Sequence, residues 1–225
     1  MGIKLMLNDV RCSFLMLGDP EYYGGQKTKD TDKRRWSATA LVPNGSPLKA
    51  QIDKTLKDVA MAQWEKKWET YYENIIVDPK GCCWIDGKRK EYDGYQGHWA
   101  LTAHRPEDKG RPIVLDTDKS PIYKANNEIY EGKAGRIYSG CYVNASIEFF
   151  GYDNTGKGLS AQLRGVQFYK DGDSFGGGRG KRRPVYLSDI SHRVQRQPSI
   201  RIDMVHWPCT IREGLERDRE RGATR

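Results

Sequence analysis

Long apolar runs are missing from this chain of 225 residues. The longest, such as Cys12 to Leu17, fall far short of the ~18–20 residues that cross a bilayer as a helix, which excludes a helical membrane protein. The first residues, Met-Gly-Ile-Lys-Leu-Met-Leu-Asn, carry no signal-peptide core or cleavage site, so export is not expected. Cysteine pairs at ligand spacing are also lacking. The five cysteines are Cys12, Cys82, Cys83, Cys141 and Cys209, with no C-x-x-C among them. Adjacent Cys82 and Cys83 suit neither a disulfide with each other nor an ordinary zinc site. Reduced thiols are expected, with a zinc site from Cys82, Cys83 and His98 as the alternative. Histidine is scarce, with four in all. His98 and His104 share a strand face but lie roughly 20 Å apart on a straight strand, so they cannot bind one metal. No Ser/His/Asp or Cys/His grouping emerges from spacing, and no residue is assigned to catalysis, a metal or a cofactor.

What is present is charge, unevenly placed. The formal net charge is +8. Residues 1–178 hold 26 Lys and Arg against 24 Asp and Glu, whereas residues 179–225 hold 12 against 6. The basic type changes as well, from 18 Lys and 8 Arg to 1 Lys and 11 Arg. A basic balance invites a nucleic-acid reading, but a body at +2 does not make that case by charge alone. Two units follow from this shift: a domain over 1–178 and an Arg-rich extension over 179–225, expected to be largely disordered.

Hydrophobic periodicity predicts a mainly β domain. Strands are expected over Arg11–Leu17, Arg34–Val42, His98–His104, Pro112–Leu115, Ile137–Tyr152 and Leu159–Tyr169. Ser46-Pro47 reads as a helix cap followed by proline in the first turn. From Leu48 to Tyr72 an apolar residue recurs every three or four positions, giving a helix of about seven turns. Gly165 breaks the alternation of its strand and predicts a bulge. Antiparallel strands with one long helix between strands 2 and 3 point to an OB-fold-like barrel of five or six strands.

Two motifs imitate enzymes. Gly151 to Gly158 nearly fits a phosphate loop, but Gly158 stands where the magnesium-binding hydroxyl belongs and β-like residues follow, so it reads as a hairpin turn. Asp86-Gly87-Lys88, with Asp78 upstream, has the acidic-x-Lys form of metal-dependent nucleases. About 2.5 such triplets are expected by chance from this composition. A nuclease is therefore kept as an alternative, beside a non-catalytic partner-binding β module.

Aromatic–basic interleaving on β elements remains. Single strands are held by cations for phosphates and by rings on which bases stack. Along the last two strands the outward set is Tyr142, Phe150, Tyr152, Arg164 and Tyr169. Arg34, Arg35, Trp36, Lys88, Arg89, Lys90, Tyr95 and His98 complete the candidate single-stranded-DNA-binding residues.

Several segments, in order, carry a likeness: Arg35-Trp-Ser-Ala-Thr-Ala-Leu-Val-Pro43, Tyr95-x-Gly-x-Trp-x-Leu-x-Ala103, Pro112-Ile-Val-Leu-Asp116, Ile137-Tyr-Ser-Gly-Cys-Tyr-Val-Asn144, Phe149-Phe-Gly-Tyr-Asp153, Gly156-Lys-Gly-Leu-Ser-Ala-Gln-Leu-x-x-Val-Gln167 and Asp171-Gly-Asp-Ser-Phe-Gly-Gly177. Together, over roughly residues 8–178, they resemble the phage and prophage single-stranded-DNA-binding proteins of OB fold. The resemblance implies a non-enzymatic protein that coats single strands without sequence preference in phage replication or recombination, in the cytoplasm of a bacterial host. It implies phage replication proteins and further copies of the chain as partners, and no membrane. The likeness departs at the end. Such proteins usually finish in an acidic tail, whereas Gly178-Arg-Gly-Lys-Arg-Arg-Pro opens an Arg-rich stretch here. A frameshift product and a functional basic arm that also touches duplex DNA are both open readings.

Overall fold

Strict alternation builds the barrel wall. In β6 (Tyr142–Asp153), Val143, Ala145, Ile147 and Phe149 are buried and the residues between them are half-buried, as a pleat with one wet face requires. The chain turns back into β7 (Lys157–Lys170), antiparallel from Tyr142↔Lys170 to Asp153↔Lys157. The phosphate-loop lookalike is thus the end of a hairpin. Pairing jumps from Ser146↔Gly165 to Ile147↔Leu163, leaving Arg164 unopposed. This is the bulge that Gly165 predicts.

The structure is a computed structural model that describes residues 2–30, 32–154 and 156–175, all within a unit spanning Met1–Gly178. The Arg-rich extension lies outside the described residues. Strand β1 (Ile3–Glu21) starts well before the expected Arg11. Its alternation is broken twice, at Asp9 (φ 52°) and Phe14 (φ 48°). The pairing shifts at the same places, between Leu7 and Val10 on β6 and between Ser13 and Met16 on the next strand. Leu7 and Val10 therefore both point inward although three residues apart, and a period of two misses the strand. Conversely, Ile137–Cys141, expected in a strand, precede β6 as turn and loop.

β1 pairs with β2 (Arg35–Pro43), and β2 with β4 (His98–Pro106). β4 meets β7 in parallel at His104↔Gln162, and β7, β6 and β1 complete the ring. Five strands close the OB-like barrel, and two short ones extend it: β3 (Trp84–Asp86) beside β4, and β5 (Ile113–Leu115) beside β7.

The helical segment lies between β2 and β4. Ser46 Oγ accepts from Leu48 N at 3.2 Å and Pro47 opens α1 (Pro47–Trp64). Its buried stripe, Ile52, Leu56, Val59, Ala60 and Trp64, joins the barrel core. The continuous helix expected from the sequence is interrupted at Glu65 (φ 46°) by a 3-10 turn, Glu65–Lys67, before α2 (Trp68–Val77). Aromatics splint the break, Trp64 against Tyr71 at 5.9 Å and Trp68 against Tyr72 at 6.2 Å. Fully buried Trp84 ties α1 to β3, its Nε1 donating to Asp53 Oδ1 at 2.8 Å.

The connector from β4 to β6 is pinned by buried charge. Asp116 is 1% exposed and receives Lys133 Nζ at 2.5 Å and Thr117 N at 2.8 Å. Burial pushes this carboxyl up, but the Lys133 and Thr117 hydrogen bonds and the charges of Arg136 and Lys133 outweigh it, leaving Asp116 below the usual carboxylate range. Arg111 donates to Leu17 O and lies 4.1 Å from the Tyr123 ring and 5.4 Å from that of Trp36.

Candidate nucleic-acid interface

The outer face of β1, β2 and β4 presents rows of residues fixed by register: Arg11–Leu41–Ala100, Ser13–Thr39–Thr102 and Met16–Ser37–His104. In the middle of this face Ser13 and Thr39 are buried under Tyr95, whose hydroxyl hydrogen-bonds to both. This leaves half-buried Ser37 and exposed Thr102 as the open hydroxyls of the floor, with Thr102 Oγ1 3.2 Å from Thr39 Oγ1. A floor without bulk lets a polymer lie against the sheet, and hydroxyls donate or accept as the partner requires.

One end of the floor is aromatic. Tyr95 is buried with Leu41 and Ala100 in a small second core, against which Phe175 packs. Around it stand Phe14 and Tyr92, 47% and 50% exposed, with ring centroids 5.0 Å apart and edge to face. Phe14 is a bulky residue at positive φ, a conformation that costs about 1–3 kcal/mol and persists only where the surroundings impose it. The Arg11 guanidinium lies 4.1 Å from the Phe175 ring and donates to Asp173 O. At the other end Arg35 lies 4.6 Å from the ring of Tyr23, which is 81% exposed. His104 is half-buried beside it. Burial first, and the Arg35 charge second, lower its pKa to about 4, so the imidazole is neutral at neutral pH.

The candidate residues divide between two sides of the barrel. Arg35 belongs to this face, and Arg34 beside it is held by Glu107 at 2.9 Å and 2.5 Å. His98 sits at the far row opposite Pro43, its Nδ1 3.0 Å from Gln96 O. Two readings need correction. Trp36 points into the barrel, 4% exposed, with Nε1 donating to Gly18 O. Tyr95 is 3% exposed beneath its own loop. Neither offers a ring to a base. Lys88, Arg89 and Lys90 follow β3 on a 3-10 turn where Asp86 accepts from Lys88 N and Arg89 donates to Val77 O.

Tyr142, Phe150, Tyr152, Arg164 and Tyr169 do face outward, but on β6 and β7. Tyr142, beside Arg11, is nearest the groove. Arg164 is bound by Glu148 and Lys170 by Asp9. Sequence reasoning missed Arg11, Phe14, Tyr23, Tyr92 and the hydroxyl floor. The floor follows from the phase of β2, but no residue type announces the bulge that exposes Phe14.

The enzyme-like motifs do not assemble. Asp78 and Asp86 accept from the backbone N–H groups of Lys80 and Lys88, capping their own turns. Among the described residues no three His, Cys, Asp or Glu side chains form a metal-sized group, so Cys82, Cys83 and His98 do not make the zinc site.

Known proteins share this architecture. A solved structure titled the single-stranded DNA-binding protein from bacteriophage Enc34 in complex with ssDNA matches with a TM-score of 0.60 and 24% identity, covering 77% of this chain and 89% of that one. Another structure of the Enc34 protein matches with a TM-score of 0.58 and 26% identity, covering 79% and 87%. Protein p50 of Acyrthosiphon pisum secondary endosymbiont phage 1 is 42% identical over 178 residues, which is 78% of this chain and 88% of that protein. The family model described as Enterobacter phage Enc34, ssDNA-binding protein, matches residues 3–185, and the chain belongs to that family.

Proposed function

We propose that this protein binds single-stranded DNA without reading its sequence, and that it coats and protects the strand during phage replication and recombination. The observation that carries the reading is one barrel face on which the open hydroxyls of Ser37 and Thr102 lie between an aromatic end and an Arg35–Tyr23 end. Every base has a ring face to stack, at about 1–3 kcal/mol each, and every phosphate a charge to meet, so the groove holds a strand of any sequence. The role is non-catalytic and belongs to the cytoplasm of an infected bacterium. Arg-rich residues 179–225, outside the described residues, add phosphate contacts, including to duplex DNA. Other copies of the chain and phage replication proteins are its protein partners.

Fluorescence anisotropy of labelled oligo-dT tests the reading. Tight binding that weakens steeply with salt is expected, together with weak competition by duplex once residues 179–225 are removed. No binding at low salt sinks it. Magnesium-dependent cleavage that disappears in Asp86→Ala would favour the nuclease instead.

A further inference from the structure

Resting on that reading, we propose that the cleft beside Phe14 takes a single nucleobase, and that Glu91 and Asp93 bias it toward bases bearing an exocyclic amino group. The cleft has a volume of about 330 Å³ and is lined by Ser13, Phe14, Tyr92 and Phe175 together with the two acidic residues. That volume is within the range of small-ligand pockets.

The walls are suited to a flat aromatic ligand. The β1 bulge turns Phe14 away from the core and leaves its ring half-exposed. Tyr92 meets that ring edge-on, which leaves ring faces free to stack on a base. Gly94 is required here: a Cβ in its place would lie 2.3 Å from the Phe175 ring, so the loop carrying the acids can close on that wall only with glycine.

The acids are unusual for a DNA-binding face. Glu91 and Asp93 have no side-chain hydrogen-bond or ion-pair partner among the described residues. Toward phosphate they are only repulsive. Toward a base edge they discriminate, because a carboxylate accepts hydrogen bonds and donates none. Cytosine N4, adenine N6 and guanine N2 carry N–H donors, whereas thymine flanks its single N3–H with two carbonyl oxygens. The pocket thus imposes a bias in base composition on a groove that elsewhere ignores base identity.

The test compares the full chain with Glu91→Gln/Asp93→Asn on oligo-dC and oligo-dT of equal length, at one salt concentration and slightly alkaline pH. The wild type is expected to prefer dC by about five- to tenfold, the low end for a base-edge contact. In the double variant both affinities rise as repulsion is removed, and the dC:dT ratio collapses toward one. Phe14→Ala weakens binding to both and also flattens the ratio. A ratio unchanged in the double variant, or a wild-type preference for dT, overturns the pocket. Equal binding of dC and dT by both proteins defeats the pocket and leaves single-strand binding intact, whereas no binding to either oligomer defeats the reading beneath it.

Discussion

On the β6–β7 side of the barrel Arg164 is held by Glu148 and Lys170 by Asp9. On the β1–β2–β4 side Arg35 leans on the exposed ring of Tyr23 above a floor of small hydroxyls. Both sides obey the same inward–outward alternation, and both carry aromatic and basic residues. They differ in what those residues already touch. A cation satisfied by a carboxylate must give up that partner to meet a phosphate, while one resting on a ring keeps its N–H groups for a newcomer. Facing outward is set by the strand, and availability is set by neighbours from elsewhere in the chain.

The sharpest separation is between the inside and the outside of β2. Trp36→Ala is expected to cost about 3–5 kcal/mol of stability, because it empties a core position. Thermal unfolding checks this, and the intrinsic affinity of the still-folded fraction for DNA should be unchanged. Next in size, Phe14→Ala or Tyr23→Ala should lose about 1–3 kcal/mol of oligo-dT binding, whereas Tyr169→Ala, Phe150→Ala and Arg164→Gln should each change affinity less than about twofold. The reverse order in anisotropy titrations would move the interface to β6–β7. Smaller still, Arg35→Gln should lower the slope of log affinity against log salt by about 0.7, one phosphate contact's worth, with no change for Arg164→Gln.

The smallest effect concerns pH. The pKa of His104, about 4, lies below its ordinary 6.5, so the fold favours the neutral ring. Its contribution to stability is full above pH 6.5 and is lost progressively as the pH falls toward 4. DNA affinity should therefore gain nothing from His104 between about pH 8 and 6. An increase in affinity over that range that vanishes in His104→Gln would contradict the buried, neutral assignment.

Much of the barrel is legible in the sequence. The alternation of β6 and β7, the Gly165 bulge and the Ser46-Pro47 cap each rest on local chemistry that the residues display. The start of β1 is not, because Asp9 and Phe14 take left-handed conformations without glycine and shift the phase of the pattern. Three-residue β3 is too short to show a period. The interface is less legible. Arg35 and Trp36 are adjacent in a strand and must face opposite ways, so a basic–aromatic cluster in sequence cannot be one in space there. Tyr95 is hidden because its loop folds onto Leu41 as well as nearby Ala100, and the contact with Leu41 joins distant parts of the chain that no local pattern links.

The way the cylinder shuts has a dynamic consequence. β6 and β7 are paired at twelve positions and β2 and β4 at nine, but β4 and β7 meet at one, His104↔Gln162. This seam is where the barrel should breathe first, and amide exchange should be faster in its flanking residues than along the rest of β4. The seam adjoins the groove floor, so a strand lying across it would act as a sixth stave. Occupancy should then be read out as slowed exchange around His104.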